Sequence, residues 1–549
     1  GIGYDALGGS IAGAEKNVAV GNYAMDATTS GDDNTAIGYD ALSSNTTGND
    51  NTAIGSFALK NNTTSSQNVA VGNEALEANT TGGNNNGIGW HALTSNTTGS
   101  SNVAIGTAAA NKNTTGSYNN ALGQDALGNN TTGDRNIAIG YSALDGPDTE
   151  NDNIAIGYDA LGGSIAGGEK NIAIGNYAMD ALTSGDNNVG IGYNSLTANT
   201  TGGSNTAVGD QSLEANTSGE GNTGIGNNAL ATNTTASYNT AVGNGALTYV
   251  TTGVSNTALG YNAGGAITTG ARNIAIGQGT LDNHANGAAD DNLAIGLDAL
   301  GGAINGGEKN IAIGNFVLDA LTSGDDNIGI GYDALTANTS GNYNTAVGMS
   351  ALRYSTTPSS NTAIGYNAGT DITTGDENTL IGKSAGLVLT TGSDNVIIGK
   401  SADPSANNAS NQIVIGEGTT GLGDNYAVIG NTNITRLYVA QDGAGVLYAN
   451  GTIQSSDRRI KKEVDDLAYG LSFIKRLRPV SYYKLHPKYY PQELKDKFYP
   501  DGNVREQSDE NLDKLQVGFI AQEVKKVAEE MNIENNIVSV DEDGFHRMD

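Results

Sequence analysis

A five-residue phrase, Asn-x-Ala-Ile-Gly, returns along this chain at a fixed step. It first reads Asn34-Thr35-Ala36-Ile37-Gly38 and recurs at Asn51, Asn68, Asn85, Asn102, Asn119, Asn136 and Asn153, 17 residues apart each time. With conservative exchanges it persists to Asn395, in about 23 copies. A period of this length, held so long, marks a solenoid, in which each repeat is covered by its neighbours. Nothing else in the sequence restricts the fold as strongly.

One repeat runs from Asn34 to Asp50. Thr35 and Ile37 fall on one face of an extended segment, and Asn34, Ala36 and Gly38 on the other. Ala41-Leu42 supplies a second short apolar step, and Asn45-Thr46-Thr47-Gly48 is turn chemistry. The repeat therefore predicts one coil of strand, corner, short strand and loop. Parallel coils stack about 4.8 Å apart, so 23 of them make a rod on the order of 110 Å long. The fourth phrase position is Ile, Val or Leu (Ile37, Ile54, Val71, Ile88, Ile105) and is expected inside the coil as a continuous apolar column. The third is Ala or Gly (Ala36, Ala53, Ala70, Gly87) and is expected outside, where a small side chain admits a second copy closely. The leading Asn is expected to stack as an amide ladder.

The step lengthens at a few places. It is 18 residues from Asn153 to Asn171 and from Asn292 to Asn310, and 19 from Asn273 to Asn292. The blocks around Tyr4, Tyr158 and Leu297 are near-copies, which implies block duplication. The extra residues are expected to bulge as loops.

The chain has 79 glycines, 6% aromatic residues and a net charge of −31. Such a composition suits a repeat protein better than an enzyme with one large core. It would also suit disorder, but the strict placement of Ile, Val and Leu argues against that. Of the charge, −29 falls in the first 457 residues. That surface repels nucleic acid, which demands clustered cations. There is no cysteine, so disulfides and thiolate metal sites are excluded. No stretch approaches the roughly 18 apolar residues of a membrane span, and no signal peptide is visible. The chain opens at Gly1 inside a phrase and without Met, so further N-terminal sequence is expected.

Several motifs fail on their surroundings. Gly1-Ile2-Gly3-Tyr4-Asp5-Ala6-Leu7-Gly8 lacks the spacing and βαβ setting of a dinucleotide loop. The Asn-x-Thr triplets at Asn45, Asn62, Asn79, Asn96 and Asn130 are read as periodic turns, not glycan acceptors. Acidic clusters such as Asp32-Asp33, Asp148 to Asp152 and Asp290-Asp291 lack a fixed ligand spacing for Ca²⁺. His91, His284, His486 and His546 are scattered. No cofactor and no metal are expected.

The repeated Asn-x-Ala-Ile-Gly phrase resembles the head repeats of trimeric autotransporter adhesins. That resemblance implies left-handed parallel β-rolls assembled as a homotrimer, although the usual head repeat is somewhat shorter than 17 residues. It covers residues 1–416, the shaft of an all-β parallel β-solenoid.

Residues 417–454 read as a β-rich neck, with Arg436 to Ala440 and Val446 to Ala449 as strands. From Ser455 the composition changes: Lys and Arg concentrate, and four of the seven prolines appear. Ile460, Val464, Leu467, Leu471 and Ile474 carry helical spacing over Asp457 to Arg478, with Ser456 or Asp457 as N-cap. A second helix is expected from Gly518-Phe519-Ile520-Ala521-Gln522-Glu523-Val524 through Met531. Residues 455–549 are thus a small α+β domain.

Three stretches of that domain, Ser456-Asp457-Arg458-Arg459-Ile460-Lys461, Leu477-Arg478-Pro479-Val480-Ser481-Tyr482 and Val517 to Val524, resemble the self-cleaving intramolecular chaperone domain of endosialidases and phage tail fibres, the peptidase S74 type. The resemblance implies a domain that trimerises the fibre and then releases itself. It assigns Ser456 as nucleophile, Lys461 as its base and Ser455–Ser456 as the cleaved bond. On their own the residues read as a helix cap and a surface cation. The family usually continues in a long C-terminal helix, so further C-terminal sequence is expected.

The sequence thus predicts an extracellular structural fibre, a trimeric shaft of a phage tail fibre or surface appendage. The alternative is a bacterial surface adhesin that binds host or matrix along the rod; a cell-surface glycan or protein receptor is the expected partner. A glycan-cleaving fibre would need paired carboxylates, and none stands out from the repeats.

Overall fold

The computed structural model describes residues 1–10, 12–146, 149–163, 166–265, 267–283, 289–435, 437, 470–482, 489, 491–493, 495, 516–532, 538–540 and 546–548. The chain divides into two units, Gly1–Asn433 and Ile434–Asp549.

The first unit is a parallel β-solenoid. Twenty-five strands of three residues, from β1 (Val18–Val20) through β2 (Thr35–Ile37) to β25 (Ala427–Ile429), form one sheet. Each pairs in parallel with the strand one coil away, as in Thr35↔Thr52, Ala36↔Ala53 and Ile37↔Ile54. β25 pairs the same way with β24 (Ile413–Ile415), so Asn425 to Gly430, a variant of the phrase, completes a rung.

The backbone ladder does not stop where the strands stop. The Leu42 N–H donates to Ala58 O at 2.9 Å, Ser44 N–H to Lys60 O at 3.0 Å and Thr46 N–H to Thr63 O at 2.8 Å. Each coil thus satisfies its neighbour almost all the way round. That is how a chain with so few large side chains meets the demand for paired buried backbone groups.

Two expectations are corrected. The first concerns inside and outside. Ala36 is fully buried and Ile37 is 40% exposed, and the same order holds along the sheet. The third phrase position is the interior one, and the Ile/Val/Leu column lies on the surface. The reason is width. Leu42, fully buried, enters the coil from the corner and fills it, leaving room for only Ala36 and Ala41 opposite. At Gly87 an added Cβ would already lie 3.2 Å from Leu76 Cγ.

The second correction concerns Ala41-Leu42, which lies in a turn and not in a strand. Asp40 (φ 54°) and Leu42 (φ 55°) both take the left-handed conformation, and the pattern repeats at Phe57 and Leu59 and at Glu74 and Leu76. That conformation costs a residue such as leucine on the order of 1–3 kcal/mol. Burying the leucine returns about 2 kcal/mol, and the coil-to-coil hydrogen bond adds to it. The tight double reversal is what turns the side chain inward.

Gly38 closes the strand at φ 147°, where a Cβ would lie 2.3 Å from the Gly55 carbonyl oxygen of the next coil. Only glycine fits that column.

The expected amide ladder is present. The Asn51 backbone N–H and Nδ2 donate to Asn34 Oδ1 at 2.9 and 3.0 Å, while Asn34 Nδ2 donates to Gly48 O at 2.8 Å. A second ladder was not foreseen. Asn45, Asn62, Asn79 and Asn96 are fully buried, linked by Asn62 Nδ2 to Asn45 Oδ1 at 3.1 Å and Asn79 Nδ2 to Asn62 Oδ1 at 2.9 Å. The second column is interrupted by buried apolar residues, among them Leu182, Val250, Ile267, Leu321, Ile372 and Leu389.

Where the period lengthens, the register holds. Ile172 pairs with Ile154 and Leu293 with Ile274. The Asn292 N–H still reaches Asn273 Oδ1 at 3.0 Å across 19 residues. In the step from Asn292 to Asn310 the extra residue lies outside the strands, as expected of a loop, whereas residues 164–165 and 284–288 of the other two steps lie outside the described residues.

Candidate functional site

In the second unit, α1 (Gly470–Arg476) ends just before Arg478-Pro479, a junction that disfavours further helix. The chain leaves it into β26 (Val480–Tyr482), which pairs antiparallel with β27 (Gln516–Gly518) through Val480↔Gly518 and Tyr482↔Gln516. α2 (Ala521–Glu530) follows β27. β28 (Val538–Val540) and β29 (His546–Met548) form a further antiparallel pair.

Val524 and Ala528, four residues apart on α2, are buried against Phe473 of α1, with Leu477, Val527 and Met531 packed around them. Arg478 reaches across to Glu523 in the first turn of α2, with Nε 3.2 Å from Oε2 and a second contact from Nη2 to Oε1. That hydrogen bond holds the Glu523 carboxyl below its usual range. A groove of about 210 Å³ lies beside this pair, lined by Leu477, Arg478, Phe519, Ile520, Glu523 and Val527 among others.

Two of the three stretches singled out in the sequence are therefore brought together. Leu477 to Tyr482 is the exit of α1 and all of β26, and Val517 to Val524 carries β27 into α2. Their strands pair and Arg478 meets Glu523. Ser455, Ser456 and Lys461 lie outside the described residues, as do residues 436, 438–440 and 446–449 of the expected neck strands, the helical residues before Gly470, His284 and His486.

The solenoid surface carries features that sequence reasoning missed. Exposed and half-buried aromatic rings meet from coil to coil. Tyr141 and Tyr158 lie 5.4 Å apart with planes at 9°, and Tyr158–Tyr177 and Tyr177–Tyr193 continue at 5.3 and 6.1 Å. Tyr4, Tyr23, Tyr39 and Phe57 form a similar edge-to-face run. The signal was an aromatic residue just past the phrase glycine in consecutive repeats.

Acidic loops are partly neutralised across coils. Arg272 Nε lies 2.6 Å from Asp291 Oδ1 and its Nη2 3.2 Å from Asp290 Oδ2, and Arg135 Nε lies 2.6 Å from Asp152 Oδ1. Among the described residues, no three acidic or histidine side chains converge as ligands for a metal ion. No described helix is long and apolar enough to cross a membrane.

No curated protein matches the chain. Residues 456–533 match the family described as chaperone of endosialidase, so behind its solenoid this chain carries a domain of the peptidase S74 type.

Proposed function

We propose that this chain is a structural fibre protein: a solenoid shaft of a phage tail fibre or surface appendage, assembled as a homotrimer by its C-terminal domain. The carrying observation is a parallel solenoid of 25 strands followed by the chaperone-of-endosialidase match at residues 456–533. That pairing is consistent with a tail-fibre type of protein. The coils' likeness to trimeric autotransporter head repeats supports the same symmetry. The physical need is plain. Near-identical coils can pair one rung out of register at little cost, and parallel pairing exposes edges while it forms. A domain that gathers three chains first sets the register for the rest.

In this reading the domain then releases itself. Ser456 begins the released fragment, so its Oγ attacks the Ser455 carbonyl. Lys461 takes the hydroxyl proton, a role that requires a neutral amine, and returns it to the departing Ser456 nitrogen. The amide becomes an ester, which water hydrolyses to the Ser455 carboxylate and the free Ser456 hydroxyl.

The mass of the purified native particle in solution tests the assembly. Three chains are expected, and a stable single chain would overturn the proposal.

A further inference from the structure

We propose that the outward strand face of the solenoid is the surface on which copies of this chain meet, parallel and in register, with Asn86 and Asn120 fixing that register. The proposal rests on the assembly reading above and names the surface that would carry it.

The fourth phrase position faces outward and is Ile, Val or Leu in every one of the 25 strands. Ile37 is 40% exposed, Ile88 38% and Leu259 49%. The second position shares that face and holds Val, Ile, Leu or Thr, apart from Asn86, Asn120 and Ala427. Neither position carries a charge in any strand, although 15% of the chain is charged and its net charge is −31. Turns beyond the strand carry the Asp and Glu residues. A strip kept uncharged, with an aliphatic residue on every rung, on so acidic a surface is not explained by the coil's own packing, since Ala36 and Leu42 already fill it.

The size and shape of the strip indicate its occupant. At roughly 50 Å² of exposed apolar area per rung, the strip amounts to on the order of 1,200 Å², more than the largest patch of a typical monomer. A standard interface takes about 800 Å² from each partner. The strip is two side chains wide and 25 rungs long at one pitch. A globular partner would cover only a few rungs. A second copy has the same pitch, length and neutral strip, and this face brings two acidic chains together where neither is charged.

Register follows from the two exceptions. Asn86 and Asn120 lie on β5 (Asn86–Ile88) and β7 (Asn120–Leu122), two rungs apart. In-register copies set each amide against its own counterpart, where the two hydrogen-bond. A slip of one rung would set Asn86 against Val69 or Val103 and strand a desolvated amide. A single buried Asn fixes register in coiled coils by the same physics.

The chain has no cysteine, so single cysteines report cleanly. Ile105→Cys places a thiol on the strip, and Thr98→Cys places one on an exposed turn residue. A short thiol-to-thiol cross-linker applied to the purified full chain should join Ile105→Cys chains to each other and leave Thr98→Cys chains single. Chains mixed from Ile105→Cys and Leu122→Cys should give like-to-like links, and Asn86→Val with Asn120→Val should add unlike ones. Ile88→Glu with Ile105→Glu should lower the particle mass while the far-ultraviolet circular dichroism stays that of a β-protein. If those glutamates prevent folding, the cysteine pair still decides. A multi-chain particle whose Ile105→Cys thiols do not link overturns the strip as the interface and leaves the assembly reading standing. A wild-type particle of one chain overturns that reading itself. Unlike links already present in the mixed wild-type background overturn the register role of the two asparagines.

Discussion

The side-chain oxygen of Asn233 has no hydrogen-bond donor, because Val250 stands where the next coil would supply an asparagine amide. Asn233 Nδ2 still donates to Asn216 Oδ1 at 3.0 Å and to Ala236 O at 3.0 Å, so one half of the amide is satisfied and the other is not. Elsewhere a glycine amide serves the same oxygen. Gly133 N–H donates to Asn130 Oδ1 at 3.0 Å, and Gly341 N–H to Asn338 Oδ1 at 2.8 Å. The Ala236 N–H stands in that place beside Asn233, but a Cβ crowds the oxygen there: one added at Gly133 would lie 2.5 Å from Asn130 Oδ1. Ala236→Gly should therefore stabilise these coils by about 1 kcal/mol, the gain of a satisfied buried acceptor less the entropy of glycine. Val250→Asn should stabilise by a similar amount, since its Nδ2 would serve Asn233 Oδ1 while Gly253 stands three residues on, where Gly133 serves Asn130. Hydrogen exchange of residues 228–250 measures both.

Leu380 breaks the rule of a small inward strand residue on β22 (Thr379–Ile381), and glycines make space for it. An added Cβ at Gly369 would meet Leu380 Cδ1 at 2.4 Å, and one at Gly386 would meet Cδ2 at 2.7 Å. Leu380→Ala should leave a cavity and cost about 2–5 kcal/mol. Adding Gly369→Leu to it restores the arrangement of the other coils, with alanines at 363 and 380 beside a corner leucine at the left-handed φ that Leu42 already adopts, whereas a leucine at 386 would meet Ile397 of the next coil. Local exchange protection should recover in the double variant and not in Leu380→Ala.

Asp145 is pushed up to about 6, first by burial and next by the Asp125 carboxylate. An unfolded aspartate titrates near 3.9, so the folded chain holds this proton more tightly. The group favours the fold fully below about pH 4, and that contribution is lost as the pH rises through about 6. Asp145→Asn should therefore raise stability at pH 7 by about 1 kcal/mol, a value kept small because water still screens the partly exposed carboxyl. It should change little at pH 4. Thermal unfolding of both proteins at the two pH values checks the sign.

Ser456→Ala should abolish release of the C-terminal fragment and leave the solenoid's assembly intact, as read by the intact mass of the purified chain and of its particle. Ser455→Ala should still be processed, because the Oγ of Ser456 and not that of Ser455 attacks. Processing that survives Ser456→Ala would remove Ser456 from its role.

The period, the parallel stacking and the first amide ladder were legible because each follows from spacing alone. Period-2 alternation also sorted Thr35 and Ile37 from Ala36 correctly. It could not say which face is inside, because side-chain size alone does not decide that. The deciding residue was Leu42, whose left-handed backbone turns it into the coil, a conformation that sequence propensities assign to Gly or Asn. The second Asn ladder was hidden because Asn45-Thr46-Thr47-Gly48 is also good turn chemistry. In the C-terminal domain, the stretch Gly518 to Val524 marked the start of α2, whereas Ser456 and Lys461 carried meaning only through a family resemblance.

The unbroken pairing of Ile274 with Leu293 across an oversized step shows that each rung interlocks only with the one before and the one after. Deleting or copying one whole 17-residue unit would therefore leave every surviving joint of the same kind. Such a molecule is a ruler graduated in single coils, and its reach can be reset by recombination within the gene without redesigning a single contact.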